Sequence, residues 1–283
     1  MGQNEREERA KIFEYTSHLY KTNDRLIKSI KNSRAGQALI LETDKIISNK
    51  QSAEPKSGKV IVSDKRSFEA ASEYARRGIR TAVHNFASAT RPGGGVLTGA
   101  GAQEECLCRC STLYPCIDIK EMWNGFYTPH RNSHNPLHNG DIIYTPDVTV
   151  FMTDTDFPKR MDESDWYSVD VITCAAPNLR EKPSNRYNPN DGDGKISITN
   201  KELEDIHTSR LRRILQTAYA NGCEAVILGA FGCGAFKNPP EVVARASKIV
   251  AEEFKNRFEV IEFAVYCRCE DDRNYRAFRN ALM

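Results

Sequence analysis

The sequence predicts a single α/β domain, a three-layer α/β/α sandwich around a mixed, largely parallel central sheet, with a helical extension at the N-terminus. Three observations predict it. Apolar, β-branched runs recur at 38–41, 59–62, 81–86, 169–174, 225–230 and 260–266, most of them without the polar alternation of a half-exposed strand. Helical stretches at 67–77, 201–221 and 240–257 separate several of these runs, and such alternation gives a parallel sheet with helices on its faces. No linker, internal repeat or low-complexity tract divides the 283 residues, which suffice to bury one sizeable core.

The elements follow in chain order. Between about residues 5 and 31, Ile12, Tyr15, Leu19, Leu26, Ile27 and Ile30 recur at helical spacing with an interruption near Asn23-Asp24, giving one or two amphipathic helices. Two segments break the strand–helix rhythm: 121–147 is rich in His, Asn, Pro and Tyr, and 177–200 in Asn, Pro, Asp and Gly. Both are expected as long surface excursions. In the first, His130, His134 and His138 recur every four residues, but Pro129 and Pro136 break any helix that would stack them, which makes a solvated loop. In the second, Asp191, Asp193 and Gly194 fit part of a calcium loop, yet Pro189 and Asn200 stand where its first and last carboxylates belong. A glycine-rich turn capping a helix near Thr199 fits better.

Composition excludes several classes. Forty Lys and Arg against thirty-eight Asp and Glu leave a formal charge of +2, alternating in sign along the chain, so no strong nucleic-acid patch is expected. No apolar stretch approaches the roughly 20 residues of a membrane span, and the charged opening Gln3-Asn4-Glu5-Arg6 lacks the apolar core of a secretion signal. A cytoplasmic protein without a membrane partner is the expectation. Nine cysteines, an odd number, fit a reducing compartment. Cys106, Cys108, Cys110 and Cys116 are spaced C-x-C-x-C-x5-C, unlike the loop pairs of zinc sites, and they read as small core residues, as do Cys267 and Cys269 beside Arg268.

Chemistry concentrates in two glycine loops, each following a strand. The first runs from Asn85 through Ser88 and Gly93-Gly94-Gly95 to Gln103-Glu104-Glu105. Three successive glycines let the backbone pass flush against a ligand with amides free for an anion. The loop lacks the Lys-Ser/Thr ending of a P-loop, and no G-x-G-x-x-G follows a strand, which disfavours an NTPase or a Rossmann hydride enzyme. The second loop, Gly229 to Pro240, contains Gly232-Cys233-Gly234-Ala235-Phe236 and opens a helix at Pro240. Neighbouring glycine loops at strand ends make a cleft for a diphosphate.

Gly93-Gly94-Gly95, seven residues, then Gln103-Glu104-Glu105 resembles the signature of poly(ADP-ribose) glycohydrolases, and Gly232–Phe236 is similar to that family's second diphosphate loop. Asn85-Phe86-Ala87-Ser88, the run from Val169 to Asn178 and the N-terminal helix resemble the microbial branch. The resemblance implies a macrodomain-like fold over 1–283, an ADP-ribose ligand and no metal or other cofactor. It makes Glu105 the acid that protonates the leaving oxygen of a ribose–ribose bond and Glu104 the residue that positions the sugar hydroxyls. It further implies substrate contacts from Gly93, Gly94, Gly95, Gln103, Asn85, Ser88, Gly232, Cys233, Gly234, Ala235 and Phe236, with Phe236 against the ribose near the scissile bond. Asp64 stands where macrodomains often place an adenine-reading acid, and Ser88 replaces the Asn of the animal enzymes.

The chemistry of the residues agrees. Cleavage through an oxocarbenium-like state needs an acid for the leaving oxygen and a base for water, and one glutamate can serve in turn. A substrate diphosphate and Glu104 both disfavour a second negative charge beside Glu105, so the acid is expected to keep its proton. The resemblance therefore implies hydrolysis of poly(ADP-ribose) from chain ends, releasing ADP-ribose. The rivals are removal of single ADP-ribose units from nucleic acid or protein, a phosphatase acting on ADP-ribose-1''-phosphate, and a non-catalytic ADP-ribose reader, which has no need of Glu104 and Glu105. Oligomeric state is not legible.

Overall fold

The structure, a computed structural model, describes residues 3–47, 56, 58–267 and 272–283. Of Cys267 and Cys269, read as small core residues, Cys267 is half-buried, whereas Cys269 and the intervening Arg268 lie outside the described residues. Helices α1 (Gln3–Thr22) and α2 (Asp24–Ala35) form the N-terminal extension. They part at Asn23, whose extended backbone and side chain, accepting from Leu26 N at 3.2 Å, cap the start of α2.

Beyond them come β1 (Ala38–Ile40), β2 (Lys59–Ser63), α3 (Ser67–Ala75), β3 (Thr81–Ala87), α4 (Gln103–Cys110), α5 (Leu113–Ile117), α6 (Lys120–Met122) and α7 (Thr128–Ser133). The chain continues through β4 (Ile142–Val150), β5 (Tyr167–Ala175), α8 (Asn200–Ala220), β6 (Ala225–Leu228), α9 (Pro240–Phe254), β7 (Val260–Ala264) and α10 (Arg273–Leu282). Thr199 and Glu202 form a reciprocal capping box at the start of α8, as the turn chemistry there predicts.

Seven strands make one mixed sheet in the order β1-β4-β5-β3-β6-β7-β2. The five from β5 to β2 are parallel, and β4 and β1 add antiparallel pairings at one side. Side chains alternate across it. Ala82, Ile172, Val226 and Ile261 face α8, α9 and α10 in one core, whereas Val83, Val171 and Ile227 face α1 to α5 in the other. These two cores are the interfaces of a three-layer sandwich. The four clustered cysteines are buried among the apolar residues around α4 and α5.

The two atypical segments depart from expectation. Residues 121–147 are not a surface excursion: they hold α7 and most of β4, a central strand buried everywhere except Asp147. The strand was hidden because Pro146 and Asp147 interrupt its pattern; they sit at a register shift between Thr145 and Val148, where Asp147 adopts φ 52°. Pro129 does not exclude a helix either, because it lies in the first turn of α7, where its missing N–H is no loss. His130 and His138 are consequently buried, not solvated. Segment 177–200 is irregular as expected, but it inserts Asn178, Asn188 and Asp191 into the interior. The Asp191 carboxylate meets His138 Nε2 at 2.5 Å and accepts from Asn178 Nδ2, a buried role that the sequence reading did not foresee.

Candidate active site

A cavity of about 290 Å³ opens at the carboxyl edge of the parallel strands. Ala87 at the end of β3 with Ser88 after it, Ala176 after β5, Ala230 after β6 and Val265 after β7 line it, so five adjacent strand ends with β2 converge on one cleft. Into its floor α4 delivers Glu104 and Glu105, only 3% and 7% exposed. Two carboxylates buried in a cavity demand donors, and the first glycine loop supplies them. Glu104 Oε2 accepts from Ser88 N at 2.8 Å, and Oε1 from Gly93 N at 3.2 Å and Asn85 Nδ2 at 3.4 Å. Glu105 Oε1 accepts from Gly95 N at 2.8 Å, and among the described residues its Oε2 meets no donor.

The triple glycine thus acts differently from the expectation of free amides. Gly93 N and Gly95 N are engaged by the glutamates, and Gly94 N by Arg91 O at 3.0 Å. Gly93 and Gly94 adopt φ 64° and 53°, which side chains resist, and a β-carbon on Gly94 would stand 2.6 Å from Glu105 Oε1. The loop can wrap both carboxylates only as glycine. Burial first, and then the neighbouring Glu105, push the Glu104 carboxyl well above the usual carboxylate range, against the opposing donors from Ser88, Asn85 and Gly93.

Gln103 fixes the helix that carries the pair. Its Oε1 accepts from Phe86 N at 2.9 Å while its Nε2 donates to His84 O at 2.7 Å and Ser67 Oγ at 3.0 Å, so α4 begins clamped to β3. The N-terminal extension reinforces the clamp from outside. Arg9, buried in α1, donates to Gly99 O at 3.0 Å, Arg109 of α4 donates to Ala100 O at 2.6 Å, and Thr16 bonds Arg109 O at 2.9 Å. Gly99 packs so tightly on α1 that a β-carbon would lie 1.8 Å from Arg6 O.

The second loop forms the opposite wall. Gly232, at φ 79°, leaves no room for a β-carbon against Ala176 and Asn238. Asn238 ties the turn together, donating to Pro177 O at 2.7 Å and pairing its Oδ1 with His207 Nε2 at 2.8 Å. Gly234, Ala235 and Phe236 line the cavity, whereas Cys233 turns away, its thiol pushed up by burial and unsuited to act as a nucleophile.

Most of the candidate residues therefore converge, with exceptions. Asn85, Gly93 and Gly95 stand behind the cavity surface and reach it through the glutamates. Asp64 is exposed and does not line the cavity; the aspartate that does is Asp154, which accepts from Phe68 N at 2.9 Å. Sequence reasoning also missed Arg66, whose guanidinium lies 4.0 Å above the Tyr266 ring at the far end of the cleft, and Asn188, which accepts from Ser88 Oγ at 2.6 Å. Asn188 carries no periodic signal, being one of several asparagines in an irregular segment.

Comparison with known proteins bears on this arrangement. The family described as microbial-type PARG, catalytic domain, matches residues 6–153, just over half of the chain and including the whole first glycine loop. The chain is similar to the crystal structure of poly(ADP-ribose) glycohydrolase from Thermomonospora curvata, with TM-score 0.79 and 28% identity, covering 98% of this chain and 100% of that one. The same protein bound to the inhibitor ADP-HPD gives TM-score 0.79 and 27% identity over 97% and 99% of the two chains. The Deinococcus radiodurans glycohydrolase in complex with ADP-ribose gives TM-score 0.71 and 27% identity over 89% and 96%. No curated protein sequence matches. The fold, the glycine-wrapped glutamate pair and the match over residues 6–153 agree, and the chain belongs to the microbial-type poly(ADP-ribose) glycohydrolase catalytic-domain family.

Proposed function

We propose that the chain is a single macrodomain-like glycohydrolase domain that hydrolyses the ribose–ribose O-glycosidic bond of poly(ADP-ribose) from chain ends, releasing ADP-ribose. The observation that carries the reading is the Glu105 carboxyl in the cavity, anchored through Oε1 to Gly95 N while Oε2 has no donor among the described residues. Family membership supports the substrate class.

In this reading the two buried carboxyls carry one negative charge between them, because burial and mutual repulsion disfavour two. Donors from Ser88, Gly93 and Asn85 occupy both oxygens of Glu104, so Glu105 Oε2, which meets no donor among the described residues, is the oxygen from which a proton can pass to the substrate. Glu105 gives it to the departing ribose oxygen as the glycosidic bond breaks. Glu104 positions the sugar hydroxyls, and the two carboxylates stabilise the oxocarbenium-like sugar. Glu105, now ionised, takes a proton from the attacking water and returns to its starting state. Gly234, Ala235 and Phe236 hold the diphosphate and proximal ribose, with amides of a sharp turn suited to an anion. No step in this reading calls on a metal. No described helix is long and apolar enough to cross a membrane; a cytoplasmic location remains part of the proposal.

The test is release of ADP-ribose from purified poly(ADP-ribose) by wild type and by Glu105→Gln, with ADP-ribose binding titrated for both. Wild type should release ADP-ribose, and the variant should bind it while losing at least about 10³-fold in rate. Binding without release by wild type would move the function to a reader or to single ADP-ribose units.

A further inference from the structure

Charge alternates in sign along the sequence, yet the fold gathers arginines beside the active site. Arg91 donates to Arg186 O at 3.0 Å, and Arg131 donates to Thr90 O at 2.7 Å. Arg6 and Arg186 flank the Tyr187 ring at 5.5 and 4.6 Å from its centroid. Among the described residues none of these four arginines pairs with a carboxylate. Their local field shows in their neighbours. Arg131 is drawn below the usual guanidinium value by burial and by Arg91. Burial works to raise the Tyr187 hydroxyl, but the hydrogen bond from Arg6 and the charges of Arg6 and Arg186 bring it down.

The cluster stands at the catalytic end of the cavity. Ser88 and Asn188, joined at 2.6 Å, line that end near the glutamates. Arg91 follows Ser88 by three residues and Arg186 precedes Asn188 by two, so both lie within about 11 Å of chain from this wall. Arg66, Tyr266 and Asn274 line the cavity on the side of β2 and β7. A terminal ADP-ribose that fills the cavity with its scissile bond at Glu105 directs the rest of the polymer toward the arginines, and the group that follows is another diphosphate.

We propose that Arg91, Arg131 and Arg186, backed by Arg6, form a subsite for the diphosphate of the ADP-ribose unit on the leaving-group side of the scissile bond. Guanidinium groups without carboxylate partners are free to fork onto phosphate oxygens. The proposal rests on the hydrolytic reading for its substrate, and its test does not need turnover.

In the full chain carrying Glu105→Gln, binding of ADP-ribose is compared with binding of the two-unit oligomer that carries a second diphosphate. The oligomer should bind about tenfold more tightly at low salt, with the advantage shrinking as salt rises. Adding Arg91→Gln and Arg186→Gln should abolish that advantage and leave ADP-ribose affinity unchanged. Equal affinities in the parent, an advantage that survives the substitutions, or a parallel loss of ADP-ribose binding would each overturn the subsite. So would a 5′-phosphorylated oligonucleotide that competes as well as the oligomer, which would assign the cluster to a nucleic-acid acceptor. An arginine-dependent advantage in a protein whose wild type leaves the polymer intact would sink the hydrolytic reading alone.

Discussion

Gly94 approaches Glu105 so closely that a single methyl group cannot fit between them: a β-carbon there would lie 2.6 Å from Oε1 and 3.2 Å from Glu104 Oε2. The backbone at Gly94 is also left-handed, at φ 53°. Gly94→Ala therefore meets strain of about 1 kcal/mol and a clash that only displacement of the glutamates relieves. Because small misplacements of reacting groups cost about 10²-fold in rate, the variant should lose that much activity on poly(ADP-ribose) while its melting temperature falls by a few degrees. Retention of near-wild-type turnover would show that the glutamates tolerate displacement.

Glu104→Gln probes the donors around the pair. Ser88 N, at 2.8 Å from one carboxylate oxygen, and Gly93 N, at 3.2 Å from the other, both need acceptors. An amide offers one oxygen, so one of these buried N–H groups must face an NH₂. The variant should lose about 1–3 kcal/mol of stability in urea denaturation, in addition to activity. Glu105→Gln, whose only bonded oxygen is Oε1 at Gly95 N, can keep that contact and should stay close to wild type in stability. Equal destabilisation by the two substitutions would contradict this division.

Much of this arrangement is legible in the sequence where a residue type is demanded by the backbone. The glycines at 93, 94 and 232 announce their loops because each adopts a positive φ against a close neighbour, and Thr81–Ala87 and Val260–Ala264 read as strands because apolar residues stand on both of their buried faces. The partners of those loops are not legible. Nothing in Gly93-Gly94-Gly95 indicates that its amides bind the chain's own glutamates instead of a ligand, since that depends on where α4 re-enters fifteen residues after Ser88. The strand Ile142–Val150 escapes because Pro146 and Asp147 form a bulge inside it. Asn188 and Asp191 escape for the opposite reason: an irregular segment has no period, so its few buried side chains look like the exposed ones around them.

Asp191 holds that irregular segment over the site. It accepts from Asn178 Nδ2 and meets the buried His138 Nε2 at 2.5 Å, three residues beyond Asn188 at the cavity wall. Asp191→Ala strands both partners in the interior, and each buried group left without its hydrogen bond costs about 1–3 kcal/mol. Protease cleavage within 183–194 should accelerate, and ADP-ribose affinity should fall by about tenfold as Asn188 loses its place. Unchanged proteolysis together with unchanged affinity would release His138 and Asp191 from this role.

Acid sensitivity should come from two other histidines. His84 and His207 are wholly buried, and burial holds them down to about 3 and about 4. The unfolded chain binds their protons near 6.5, so the stability that these neutral rings contribute is complete above that pH and drains away as pH falls toward the folded values, at about 1.4 kcal/mol per pH unit and ring. Glu104 opposes them, because its folded carboxyl keeps a proton above 4.5 and so favours the folded state as pH falls. The wild-type slope is the sum, and a variant isolates one part of it. His207→Gln can still donate to Asn238 Oδ1, which His207 Nε2 meets at 2.8 Å, but it cannot titrate. Between pH 7 and pH 5 it should lose about 2 kcal/mol less stability than wild type in urea titrations. Parallel losses in the two proteins would mean that His207 takes no part in acid unfolding.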